Sequence, residues 1–256
     1  MYAKRIRGQM SESMLTAVFI ILSGGLQDSY TYLCRGKVFA NAQTGNIVLL
    51  SAYLFDGEWS HCARYFVPVL AFMLGIFVAE CVHRHYKYME RVHWRQLIIL
   101  SEIVLLFAVG FLPQTINTFA NAVVSFVCAM QVQTFRKVRG NVCSTTMCIG
   151  NLRSGTQYLY DWLKYRDPVV LSRALQYFGT IVLFGAGAAA GSLMTMRFGM
   201  WVIWVSSALL SVSFLLMFWK TDEKELQAVG RKLERELCTV EEKAEHKLEH
   251  LEEKHR

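Results

Sequence analysis

The sequence predicts an all-α polytopic membrane protein: six transmembrane helices plus two re-entrant half-helices in an inverted 3+3 repeat, with a C-terminal cytoplasmic helix. Three observations lead there. Hydrophobic residues make up 54% of the chain at a mean hydropathy of +0.28, and charged residues only 18%, where soluble domains carry about 25%. The apolar residues gather into runs of 16–20 residues, near the length that crosses a hydrocarbon core. The second half of the chain also repeats the polar landmarks of the first in the same order.

The runs cover residues 14–32, 65–82, 97–112, 116–134, 175–194 and 200–219. Trp94, Trp201 and Trp219 stand at their ends, where indoles settle at a membrane interface. Lys4, Arg5 and Arg7 precede the first run as the basic residues of a signal peptide would. However, Gly24-Gly25-Leu26-Gln27-Asp28 lies inside that run and further spans follow, so it reads as a retained span. The seven cysteines (Cys34, Cys62, Cys81, Cys128, Cys143, Cys148 and Cys238) show no CxxC spacing and read as small apolar packing residues.

Two segments between the runs are ambiguous. Residues 41–55, NAQTGNIVLLSAYLF, are few; residues 145–163, TTMCIGNLRSGTQYLYDWL, carry Arg153 and Asp161 and are too polar to lie against lipid. Loop charge decides whether they cross. If neither crosses and the N-terminus is cytoplasmic, the basic residues from Lys4 to Arg7, Arg84 to Arg95, Arg136 to Arg139 and Arg153 to Arg173 all fall inside. Only Arg35, Lys37, Arg64 and Arg197 then fall outside, and the majority reverses if both segments cross. The positive-inside rule therefore favours segments that enter and leave on one side. Three spans per half make the halves inverted: 1–12 is a cytoplasmic N-terminus, 13–113 the first membrane repeat, 114–220 the second, and 221–256 a charged amphipathic cytoplasmic helix.

The repeat is visible in the letters. Thr44-Gly45-Asn46 precedes Ile47, and about a hundred residues later Ile149-Gly150-Asn151 precedes Leu152. Each follows a span ending in polar residues, Gln27-Asp28-Ser29 and then Gln131-Val132-Gln133-Thr134. Each is followed by a span with small residues at helical spacing, Gly75 and Ala79, then Gly187 and Gly191. The blocks GGLQDSYTYLCRGKVFANAQTGNIVLL and AMQVQTFRKVRGNVCSTTMCIGNLRSG closely resemble the two signature blocks of the YoaK-like family, from about residue 13 to 219. The resemblance implies a multi-pass protein of the bacterial inner membrane, built around a domain of unknown function, and supplies no activity. Ile149 departs from the pattern, which tends to have Thr before Gly-Asn, so the second turn lacks the hydroxyl of Thr44.

Thr and Asn start helices well because their side chains accept bonds from the free amides of the first turn. In this topology a half-helix from about Thr44 starts deep in the membrane with its positive dipole end there, and the Ile149-Gly150-Asn151 turn approaches from the other side. Two such starts meeting near the midplane build a solute site in inverted-repeat transporters. The alternative is that both turns only cap re-entrant helices and pack the halves together. The candidate substrate-binding residues are Asp28, Asn41, Thr44, Gly45, Asn46, Gln131, Gln133, Gly150, Asn151 and Arg153.

Asp28 and Glu102 are acids within runs, and such a charge costs about 2.5–3.5 kcal/mol at a bilayer centre, so each must face a cavity, carry a proton or pair. Both are proton-coupling candidates; otherwise Asp28 caps the Gly24-Gly25 break and Glu102 pairs with a base such as Arg95. Arg136 and Arg153 either meet an anionic solute or serve orientation alone. Cys81, His83, His85 and His93 provide no closed ligand set, and no P-loop, GxSxG or HExxH pattern occurs, so neither metal, cofactor nor catalytic residues are expected. Past Trp219, Leu226, Val229, Leu233, Leu237, Val240, Ala244, Leu248 and Leu251 mark one apolar helix stripe, fit for a coiled coil or a docking helix. The expected partners are the bilayer, a small solute and, through Gly187 and Gly191, a second copy; nucleic acid is not expected. A solute carrier or channel leads, and a scaffold or sensor acting through the tail is the alternative.

Overall fold

The computed structural model describes residues 14–86, 94–138 and 141–217, almost all of them helical. The expected N-terminal segment 1–12, the tail helix 221–256 and His93 lie outside the described residues. In chain order come α1 (Met14–Cys34), α2 (Gln43–Phe55), α3 (Trp59–Tyr86) and α4 (Trp94–Val109). A 3-10 turn, Gln114–Ile116, leads into α5 (Asn117–Thr134). A hairpin of β1 (Lys137–Val138) and β2 (Asn141–Val142) pairs antiparallel with Lys137 opposite Val142. Then follow α6 (Cys148–Tyr165), α7 (Pro168–Phe198), a second 3-10 turn (Gly199–Val202) and α8, residues 203–217.

Among the described residues, three helical stretches are long and apolar enough to cross a membrane: Trp59–Tyr86, Gln114–Thr134 and Pro168–Met217. α2, at 13 residues, is only about 20 Å long, two thirds of a hydrocarbon core. Polarity is distributed inside-out. Gln27, Asn46, Glu102, Asn121 and Gln131 are fully buried, whereas Val48, Phe77 and Ile149 are 62%, 66% and 79% exposed. A surface of that kind suits lipid, where polar groups turn inward and apolar ones meet acyl chains.

Helix pairing follows small residues. α1 packs on α7 and α3 on α5, while α2 lies along α3 and α6 along α7. A Cβ on Gly187 would collide with the Leu22 carbonyl of α1, and one on Gly75 would collide with the Phe126 carbonyl of α5. Glycine thus permits helix backbones to touch, at a cost of about 1 kcal/mol in helix propensity that the close packing offsets. α8 joins α1 through the Ser23–Ser206 contact and a bond from Ser213 Oγ to the Thr16 carbonyl. At the α6–α7 corner Asp167 caps α7, accepting from Val169 N at 2.8 Å with Pro168 in the first helical position.

One charged residue holds a corner together from inside. Arg35, directly after α1, is fully buried. Its Nε donates to Tyr30 Oη at 2.7 Å, Nη1 to the Pro113 carbonyl and Asn117 Oδ1, and Nη2 to the carbonyls of Val109 and Leu112. The guanidinium therefore gathers carbonyls from the last residue of α4, Val109, and from Leu112 and Pro113 just beyond it, as a cation at a helix C-terminus does. Asn121 of α5 in turn donates to the Arg35 carbonyl at 2.7 Å.

Candidate functional site

The inner face of α1 is polar: Ser23, Gln27, Asp28 and Thr31 are all buried. Asp28 Oδ1 accepts from Asn41 N at 2.7 Å, and Asn41 Nδ2 donates to the Gly24 carbonyl at 3.2 Å. Gly24 lies ten residues before Cys34, the end of α1. The chain leaving α1 therefore doubles back along about 15 Å of that helix before α2 begins.

A second strand of chain ends at the same place. The Thr146 methyl lies against Gly24, so that a Cβ there would strike it, with the Gln131 amide and the Phe184 ring just beyond. The absence of a side chain at Gly24 is what lets Thr146, in the stretch preceding α6, reach α1 at this level, while Asn41 meets the Gly24 carbonyl.

Both stretches are held by one device. Asn46 Oδ1 accepts from Phe39 N at 3.2 Å while its Nδ2 donates to the Phe39 carbonyl at 2.7 Å, seven residues earlier. Asn151 Oδ1 accepts from Ser144 N at 3.2 Å while its Nδ2 donates to the Ser144 carbonyl at 2.6 Å, again seven residues earlier. Each amide thus ties a non-helical stretch of backbone to the helix that follows it, α2 or α6. This satisfies part-buried main-chain groups that lie outside the helices and the hairpin.

Around Gly24 a hydrogen-bonded network joins three helices. Gln27 Nε2 donates to Ser23 Oγ at 3.0 Å and to Ser206 Oγ at 2.9 Å, and the Cys128 thiol donates to Gln27 Oε1 at 2.8 Å. Gln131 Nε2 donates to the Ile20 carbonyl at 3.2 Å. Several buried polar atoms have no hydrogen-bond partner among the described residues: Asn41 Oδ1, Gln131 Oε1, Thr145 Oγ1, Thr146 Oγ1 and both carboxyl oxygens of Glu102. Buried orphans of this kind cost about 1–3 kcal/mol each, and those of Asn41, Gln131 and Thr146 belong to side chains that meet at Gly24.

Of the expected site residues, Asp28, Asn41 and Gln131 come together here. Asn46 and Asn151 stand behind them with both amide atoms committed to backbone. Gly45 abuts the Phe39 ring, Thr44 and Arg153 are exposed, and Gly150 faces open space. Gln133 is elsewhere, donating to Glu80 Oε2 at 2.9 Å. Sequence reasoning missed Thr146, Ser206 and the thiol bond of Cys128. Thr146 sits four residues before the Gly150-Asn151 turn as Asn41 sits four before Gly45-Asn46, a correspondence that could have found it.

No curated protein and no solved structure matches this chain. A family model does, across residues 16–216, nearly the span over which the two blocks of sequence carry their resemblance. The chain belongs to that family, described as protein of unknown function (DUF1275).

Proposed function

We propose that the protein carries a small polar solute across the bacterial inner membrane, as a transporter or channel-like carrier of six spans and two re-entrant half-helices. The observation that carries this reading is the meeting of two doubled-back segments at Gly24, Asn41 from one and Thr146 from the other, beside buried polar atoms that lack partners. An inverted 3+3 repeat is supported by paired contacts. The Asn46–Phe39 bonds match those of Asn151–Ser144, and the Gly75–Phe126 approach matches that of Gly187–Leu22. Sites at such a repeat interface suit alternating access, in which one half rocks against the other.

The unpartnered atoms favour one solute chemistry. Asn41 Oδ1 and Gln131 Oε1 are acceptors, and the threonine hydroxyls serve either role. A solute rich in N–H or O–H donors fits this set. Asp28 and Glu102 are the groups to exchange a proton during transport. Purified protein in proteoliposomes tests the reading with a panel of amines, amino acids, polyols and amides. Flux of a donor-rich solute is expected, with loss of at least tenfold in Asp28→Asn and Asn41→Ala but not in Arg153→Gln. Absence of binding and flux across the panel overturns it.

A further inference from the structure

Asp28 is a buried acid held by a neutral donor, its Oδ1 accepting from Asn41 N at 2.7 Å. Among the described residues the ion pairs fall on Glu58 and Glu80, and none reaches Asp28. The next base along the chain, Arg35, commits its three nitrogens to Tyr30, Asn117 and the carbonyls beyond α4. A carboxylate inside a membrane protein needs a proton or a cation to neutralise it.

The atoms beside it are matched to a donor. Asn41 bonds to Asp28 through its main-chain N–H and to the Gly24 carbonyl through Nδ2, so it spans one turn of α1 along the face that carries both residues. At Gly24 a Cβ would lie 2.7 Å from the Thr146 methyl and 3.6 Å from Gln131 Nε2. Asn41 Oδ1, Gln131 Oε1 and Thr146 Oγ1 have no hydrogen-bond partner among the described residues, and all three side chains are buried. Both amide nitrogens are already engaged, Asn41 Nδ2 on the Gly24 carbonyl and Gln131 Nε2 on that of Ile20. Each amide therefore has its oxygen left over.

Resting on the carrier reading of this site, we infer that it takes the ammonium group of a primary amine. Asp28 is the counter-ion, and Asn41, Gln131 and Thr146 are the hydrogen-bond acceptors. A primary ammonium carries three N–H donors and no acceptor, the complement of three such oxygens. A carboxylate solute meets an acid and two amide oxygens instead, with only the Thr146 hydroxyl holding a proton to give. A neutral polyol leaves the Asp28 charge unbalanced.

Isothermal titration calorimetry on the full chain in detergent at neutral pH tests the inference. The probes are methylamine, putrescine, tetramethylammonium, glycerol, acetamide and acetate. Methylamine or putrescine should bind saturably, about tenfold or more tighter than the other probes. Tetramethylammonium has the charge without N–H donors, so affinity equal to that of methylamine overturns the inference. Asp28→Asn keeps an oxygen for Asn41 N and should weaken amine binding about tenfold or more, while Arg153→Gln leaves it unchanged. Thr146→Val keeps a methyl against Gly24 and removes only an unpartnered hydroxyl. It should fold even where Asp28→Asn does not, and should weaken amine binding about threefold or more. Full amine affinity in either folded variant overturns the inference. Amine binding without flux in proteoliposomes keeps the amine site and removes the carrier. Flux of glycerol or acetamide without amine binding keeps the carrier and removes the amine site. Failure of every probe to bind overturns the inference.

Discussion

Asn46 and Asn151 do the same thing in different halves of the chain: each clasps the main-chain N–H and C=O of a residue seven positions earlier. The geometry of one clasp reproduces the other to within about 0.1 Å in each bond. That correspondence ties the sequence repeat to a physical task. A segment packed against protein outside helix and sheet must place its backbone polar groups somewhere, and an asparagine amide offers a donor and an acceptor at once.

Removing a clasp should therefore destabilise without touching any solute. Asn46→Ala and Asn151→Ala each lose three hydrogen bonds, two of them to a part-buried main-chain N–H and C=O and the third to Gln43 Oε1 or from the Cys143 thiol. A loss of about 2–4 kcal/mol is expected in each. Thermal unfolding in detergent should show a lowered midpoint for both, and an unchanged midpoint in either would remove the clasp from the account.

Glycine substitutions should divide sharply. Gly75→Leu and Gly187→Leu drive a side chain into a facing carbonyl, of Phe126 and Leu22, and should abolish monodisperse folded protein on size-exclusion chromatography. Gly150→Ala meets nothing within 4 Å and sits within α6, so it should be neutral or stabilising by about 0.5–1 kcal/mol.

Arg35 should resist conservative replacement. Lysine cannot reach the Tyr30 hydroxyl, the Asn117 amide and three carbonyls with one ammonium, so Arg35→Lys should cost stability, and Arg35→Met about 3–5 kcal/mol. Thermal melts of the two variants against the parent protein measure this directly. Equal midpoints for all three would show that the buried guanidinium contributes nothing to the α4–α5 corner.

Coupling should separate from binding at Glu102. Glu102→Gln preserves shape and removes the exchangeable carboxyl proton, so solute exchange at equal pH should persist while flux driven by a pH gradient is lost. Loss of both in parallel, with folding intact, would place Glu102 in solute binding; retention of both would remove it from transport.

How much of this was legible beforehand depends on the kind of residue. The apolar runs announced α1, α3, α4, α5, α7 and α8 because length and hydropathy are local properties. The ends were misjudged where helices continue into polar residues, as α3 does from Trp59 to Tyr86 across Pro68, beyond the apolar run 65–82. The Gly-Asn turns stand out as a repeat with Asn41 just ahead of the first, and Asp28 stands out as an acid within an apolar run. Their division of labour was not legible, since an asparagine that binds backbone and one that faces a site look alike in sequence. Arg35 was counted as a loop charge on the outer side. Its burial depends on carbonyls from Val109 to Pro113, far along the chain, and no local pattern encodes that meeting.

The central claim is that the half-helices α2 and α6 turn back toward opposite membrane faces. A cysteine-free background carrying Asp56→Cys, after α2, or Lys164→Cys, near the end of α6, tests it with an impermeant maleimide on right-side-out and inverted vesicles. The account predicts that Asp56→Cys labels only from outside and Lys164→Cys only from the cytoplasmic side. Labelling of both positions from the same face would mean that the two segments thread through the bilayer, and would contradict the inverted arrangement and the solute path drawn through Gly24.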